Sequence, residues 1–342
     1  MGHDGAPMRH DARTREAVMR RAIAAGDAAR LRSRPNPWVG AVLECTDGSV
    51  HVGSTAAPGG FHAEVAAIAA ARAAGADTRG SVLTCTLEPC AHTGRTGPCT
   101  EAIVAAGVAE VVYAVDDPDP SVDGRGGRRL REAGLTVTAG VLAAEVSAQL
   151  APYLHHRRTG RPWVLVKMAT TLDGRTHLPH GPGRITGDDA RSRVHRLRAE
   201  SDAICVGAGT VLVDDPLLTV RHAEGPSPER IVLSRREVPP SARVQPCTRW
   251  DGAIGDLLDD LGARGVVQLM VEGGPTTVAR FAAEGAVDRW VFHVAPFVSG
   301  DADAPGIFPP GVPEPHRFVL AAVSALGDDI EIVLEPPKEN AA

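Results

Sequence analysis

Lysine is nearly absent from this chain of 342 residues, with Lys167 and Lys338 set against 34 arginines, and aromatic side chains make up only 4%. The formal net charge is -6, so there is no basic surplus. Proteins that hold single-stranded nucleic acid need basic grooves with aromatics for stacking, and both are scarce here. No nucleic-acid partner is expected, which disfavours a polynucleotide base deaminase; a small polar molecule fits better. No apolar stretch reaches the about 20 residues that span a bilayer, and Met1 to Arg21 holds no apolar run of signal-peptide kind. No membrane partner is therefore expected, and the location is expected to be cytoplasmic. Six cysteines at irregular spacing in so long a chain make no disulfide framework. Cys45, Cys85, Cys205 and Cys247 read as plain thiols.

The two remaining cysteines carry chemistry. His62-Ala63-Glu64 is followed by Thr86-Leu87-Glu88-Pro89-Cys90 and then Cys99. A zinc ion that activates water needs three protein ligands and one open position, and His62, Cys90 and Cys99 supply an N, S, S set. Glu64, two residues past the His and not a ligand, is placed to take a proton from the attacking water and pass it to a departing amine. The reaction would be hydrolytic deamination. Taken singly, a His-x-Glu is a solvated helix turn and two cysteines are small hydrophobes. Their order, with Pro89 immediately before Cys90, sets those readings aside, while the eight residues between the thiols depart from the compact Pro-Cys-x-x-Cys form.

At 342 residues the chain exceeds one ordinary core, and two α/β domains are expected, residues 1–158 and 159–342, with the polar run His155 to Pro162 as the boundary. A helix near Ala17 to Ala25 precedes a hairpin, Trp38 to Cys45 and Ser49 to Ser54, turned at Asp47-Gly48. Alanine-rich His62 to Ala74 predicts a helix stopped at Gly75. Ser81 to Leu87 predicts a strand that delivers Cys90, and Cys99 opens a helix. Val111 to Val115 and Leu135 to Val141 predict strands, and Leu142 to Arg158 predicts one helix. In the second half Trp163 to Ala169 is an apolar strand broken by Lys167, which by itself is as well read as an edge or snorkelling residue. Gly207-Ala208-Gly209-Thr210 reads as small residues at a strand end. Val266 to Val271 followed by Glu272-Gly273-Gly274-Pro275-Thr276 reads as strand, turn and helix N-terminus, a place for a phosphate.

Asn36-Pro37-x-Val39-Gly40, the zinc motifs with Gly94-Arg95-Thr96, and Asp117-Pro118 resemble the deaminase half of the bifunctional riboflavin-biosynthesis deaminase/reductases. Lys167-x-Ala169, Leu172-Asp173-Gly174-Arg175, Asp214-Asp215-Pro216-Leu217-Leu218-Thr219-x-Arg221 and Glu272 to Thr276 resemble their reductase half. The resemblance runs from about residue 14 to about residue 334. It implies an α/β protein, with an N-terminal cytidine-deaminase-like three-layer domain and a C-terminal dihydrofolate-reductase-like domain. It implies zinc and NADPH as cofactors, a small phosphorylated pyrimidine as substrate, and a homo-oligomer. Asn36, His92 and Arg95 would hold the deaminase substrate; Lys167, Arg198, Leu218, Arg221 and Glu272 would line the reductase substrate site; Ala169, Thr210, Asp214, Gly274, Pro275 and Thr276 would face NADPH.

The chain departs from the family at Pro182-Gly183-Arg184, where Ser-x-Trp is usual, and at Thr55, where many relatives have His. A paralogue of specialised metabolism with an altered reductase is the second reading that these departures leave.

Overall fold

The computed structural model describes residues 11–92, 97–120, 122–178, 184–309 and 317–337. The chain divides into two units, Met1–Thr159 and Gly160–Ala342.

The first unit runs α1 (Ala12–Ser33), β1 (Gly40–Glu44), β2 (Val50–Ser54), α2 (Ala63–Ala73), β3 (Val82–Leu87), α3 (Cys99–Ala105), β4 (Glu110–Val115), α4 (Arg125–Glu132), β5 (Thr136–Ala139), α5 (Ala143–Gln149) and α6 (Ala151–Thr159). Its sheet has the order β2-β1-β3-β4-β5, antiparallel at the hairpin and at β1/β3, parallel beyond. Two glycines show why helices cover both faces. A Cβ on Gly40 would stand 1.9 Å from the Ala22 carbonyl oxygen of α1, and one on Gly53 would stand 2.2 Å from the Ala63 oxygen of α2. Gly53 pairs with Ala41, the neighbour of Gly40, so these two glycines point to opposite faces. Helix, sheet and helix thus form three layers held at near backbone contact. The expected single helix from Leu142 to Arg158 is two: Leu142 adopts a left-handed conformation, and Leu150 separates α5 from α6. Proline at 152 has no amide hydrogen for a continuous helical ladder but is tolerated in a first turn.

The second unit contains β6 (Trp163–Thr170), α7 (Asp188–Ala199), β7 (Ala203–Gly207), α8 (Ala208–Asp214), β8 (Glu229–Leu233), β9 (Thr248–Trp250), α9 (Ile254–Ala263), β10 (Gln268–Val271), α10 (Pro275–Ala283), β11 (Arg289–Val294), β12 (Val319–Leu326) and β13 (Asp329–Glu335). The order of its sheet, β12-β13-β11-β6-β10-β7-β8-β9, puts β6 in the interior. Strand alternation feeds two apolar clusters. Val164, Val166 and Met168 pack with Leu257, Val278 and Phe281 of α9 and α10, whereas Leu165 packs with Val194, Leu197 and Val211 of α7 and α8. Lys167 is therefore a buried residue of a central strand, 7% exposed, and the edge or snorkelling reading fails. The residues read as a glycine loop divide between the end of β7 and the first turns of α8. Among the described residues no helix is long and apolar enough to cross a membrane.

Candidate functional site

In the first unit, the carboxyl end of β3 and the starts of α2 and α3 converge. His62 is the extended residue that caps α2, and Cys99 is the first residue of α3. His62 Nδ1 lies 3.2 Å from Cys99 Sγ and 3.6 Å from Cys90 Sγ, and the Cys99 N–H donates to Cys90 Sγ at 3.4 Å. All three ligand atoms fall within 4.8 Å of one another. Tetrahedral zinc, with bonds of about 2.1 Å to nitrogen and 2.3 Å to sulfur, separates its ligand atoms by about 3.6 Å, so the donor set fits the ion. Hydrogen bonds from Cys99, opposed by burial, hold Cys90 down to about 4, while the same pairing and burial push Cys99 up. The pair yields its first proton readily.

Glu64 is 4% exposed on the first turn of α2. Burial, joined by the Cys90 charge, pushes its carboxyl up to about 7, a range in which it can both accept and return a proton. Glu64, His62 and Cys90 line a cavity of about 290 Å³, as do Asn36 and His92. Arg95 lies outside the described residues. Thr55 is buried at the same cavity and accepts the Val39 N–H at 3.1 Å.

Several residues at this cavity had no assigned part in the sequence reading. Glu88, 3% exposed, accepts backbone N–H groups of Gly127, Gly124 and Asp117 at 2.9, 3.1 and 3.3 Å, fixing the loop before α4. A Cβ on Gly126 would stand 1.9 Å from the Pro89 oxygen, so only glycine lets α4 approach the cysteine loop so closely. Asp117 is buried and accepts the Tyr153 hydroxyl at 3.1 Å on either oxygen. Burial pushes the Asp117 carboxyl up. Arg157, expected in the boundary run, belongs to α6 and lines the cavity. The polar composition of that run hid it.

In the second unit Lys167 and Glu272 come from adjacent parallel strands and their ends. Arg198 of α7 grips Glu272 with two bonds of 2.9 Å and gives a third to the Thr219 carbonyl at 3.2 Å. Burial draws the Lys167 ammonium below its ordinary value, with the Glu272 charge opposing. Burial also acts to raise Glu272, but Arg198 outweighs it and the carboxyl is lowered. Arg221 is exposed, bonded to the Thr219 hydroxyl at 2.6 Å, and its own N–H donates to His195 Nδ1 at 3.0 Å. Leu218, at φ 53°, is 2% exposed and packs in the core.

Thr210 and Gly274 are neighbours, the Thr210 hydroxyl lying 4.0 Å from where a Gly274 Cβ would stand, and a Cβ on Gly209 would meet nothing within 4 Å. Pro275 opens α10 behind an uncapped Gly274, and Thr276 is exposed in its first turn. A helix start with glycines before it and threonine hydroxyls around it fits a dinucleotide phosphate. Ala169, two residues from Lys167 on the same face of β6, is half-buried, and Asp214 is exposed at the end of α8. Pro182 and Gly183 lie outside the described residues. Arg184 is exposed and pairs with Asp188 at 3.3 Å. Further along this face His293, fully buried, bonds Glu331 at 2.9 Å, and Arg193 pairs with Glu331 at 3.0 Å, a cluster that nothing in the strand pattern announced.

A triad suited to zinc beside a buried carboxylate defines a deaminase-type site, and the second unit brings buried Lys167 beside the Arg198–Glu272 pair. The profile described as "Cytidine and deoxycytidylate deaminase zinc-binding region" matches residues 12–115, and "RibD C-terminal domain" matches residues 162–332. The riboflavin biosynthesis protein RibD of Mycobacterium tuberculosis is 43% identical over 278 residues, covering 78% of this chain and 80% of that protein. The structure of Acinetobacter baumannii RibD superposes with TM-score 0.86 at 32% identity, covering 95% of this chain and 99% of the other. A Thermotoga maritima diaminohydroxyphosphoribosylaminopyrimidine deaminase/5-amino-6-(5-phosphoribosylamino)uracil reductase gives TM-score 0.86 at 32% identity, covering 96% and 100%. The chain belongs to the RibD family of bifunctional riboflavin-biosynthesis deaminase/reductases. Its first fold is cytidine-deaminase-like, its second is the RibD reductase fold, and its cofactors are zinc and NADPH.

Proposed function

We propose that residues 1–158 remove the exocyclic amino group of a diaminopyrimidinone ribosylamino 5′-phosphate by hydrolysis, and that residues 159–342 then reduce its ribosyl chain to ribityl. The observation that carries the reading is the His62, Cys90, Cys99 set, within 4.8 Å, of which His62 and Cys90 share a cavity with buried Glu64.

His62, Cys90 and Cys99 would hold zinc, which when bound lowers the pKa of water and so supplies a nucleophile near neutral pH. Glu64, with its carboxyl near 7, takes the proton of the attacking water and returns it to the departing amine. Asn36, His92 and Arg95 hold the deaminase substrate.

In the reductase NADPH, when bound, supplies the hydride. Ala169, Thr210, Asp214, Gly274, Pro275 and Thr276 seat it, the N–H groups at the start of α10 facing a phosphate. Lys167, Arg198, Leu218, Arg221 and Glu272 form the substrate side. Because Arg198 already satisfies Glu272, Lys167 and Arg221 are the cations that offer N–H groups to substrate.

The test of the deaminase assignment is metal analysis beside activity: Cys99→Ser should lose both zinc and ammonia release while keeping NADPH oxidation. A zinc-free yet active variant would remove the assignment. A cytoplasmic setting suits the thiol ligands. Assembly as a homo-oligomer is supported by Val319, Leu320 and Val323 of the edge strand β12, each more than half exposed, and light scattering checks it.

A further inference from the structure

We propose that Arg157, on α6, is a specificity-determining residue of the deaminase cavity and binds the phosphate of its substrate. The inference rests on the deaminase reading above. Among the described residues that line the cavity, Glu64, Glu88, Asp117 and Asp119 are carboxylates, and Arg157 is the sole arginine or lysine. A phosphorylated substrate entering such a lining meets like charge unless a cation faces it.

The geometry of Arg157 suits that part. Its guanidinium carbon lies 5.1 Å from the centre of the Tyr153 ring, and the Tyr153 hydroxyl is anchored on Asp117 at 3.1 Å. The Tyr153 ring and its hydroxyl together hold the cation in place. Its ion pair with Asp119 is long, 3.5 Å from Nε, and Nε is buried without a hydrogen-bond partner. Arg157 is thus oriented by an aromatic face and by one imperfect ionic contact. A phosphate, with more charge and oxygens matched to the guanidinium fork, displaces that contact. Asp119 keeps the guanidinium at the cavity when no anion is present.

The experiment compares deamination of the phosphorylated pyrimidine and of its dephosphorylated counterpart by the parent chain, Arg157→Gln and Arg157→Lys. Arg157→Gln should raise KM for the phosphorylated substrate by about 10- to 100-fold, with kcat and the KM for the dephosphorylated form little changed. Arg157→Lys should recover part of the difference, and zinc content should stay at the parent level in both. With the parent chain alone, inorganic phosphate should compete with the phosphorylated substrate. An unchanged KM in Arg157→Gln, an equal rise for both substrates, or no competition by phosphate overturns the inference while leaving the deaminase reading intact. A parent chain that deaminates neither substrate overturns that reading itself.

Discussion

The two polar sites hold their charges in opposite ways. At the first, thiol and imidazole donors face one another at 3.2 to 3.6 Å, and the carboxylate beside them keeps its pKa near 7 because burial dominates. At the second, Arg198 and Glu272 satisfy each other through two 2.9 Å bonds, and the lowered Glu272 reports a charge already compensated. The first arrangement is a donor set suited to a metal ion, whereas in the second the guanidinium and carboxylate are paired within the fold beside buried Lys167. A donor cluster awaiting a metal can be read from residue types, whereas a self-paired cluster looks like ordinary surface charge until the fold is known.

The largest expected effect separates proton transfer from metal binding. Glu64→Gln should keep its zinc and its NADPH oxidation but lose deamination by about 1,000-fold, since the ligands are untouched and the proton carrier is gone. Ammonia release at the parental rate would remove Glu64 from the chemistry. Lys167→Met should do the reverse, ending NADPH oxidation at the second site while ammonia release continues; loss of both activities together would show that the two sites are not independent.

A smaller effect concerns support of the first site. Glu88→Ala leaves the N–H groups of Asp117, Gly124 and Gly127, in the loop before α4 and in its first turn, without their acceptor, and should cost about 2–3 kcal/mol in urea unfolding while Glu88→Gln costs less. Equal stability of the alanine variant and the parent would mean that water replaces the carboxylate freely.

The smallest is a pH effect in the second unit. Burial pushes Asp288 up to about 6, although it accepts the Val164 N–H at 2.7 Å. The folded state therefore holds that proton more tightly than the unfolded chain, whose value is about 3.9. Its contribution is fully present below about pH 4 and is lost as pH rises through about 6. Asp288→Asn keeps an acceptor without the charge, and should gain up to about 2 kcal/mol over the parent at pH 8 relative to pH 4.5. The same pH slope in both proteins would show that Asp288 ionises freely.

What the amino-acid order determined by itself was local. Catalytic zinc accepts few ligand types, and the chain must present them from short segments, so His62, Glu64, Cys90 and Cys99 were legible beside the helix and strand that carry them. The strand, glycine turn and helix around Gly274 were legible as well, because an apolar run followed by Gly-Gly-Pro marks a strand end and a helix start. The single helix drawn through Leu150 failed because apolar spacing does not register a left-handed residue at Leu142 or a break before Pro152. Tertiary structure alone decided the rest. Lys167 is buried because β6 takes an interior place between β11 and β10, and strand order is not written in the strand's own pattern. Arg198 meets Glu272 across 74 residues of chain, and Tyr153 meets Asp117 across 36. Such pairs form only when separate elements pack, and a charged residue shows its role only once burial has removed water as its partner.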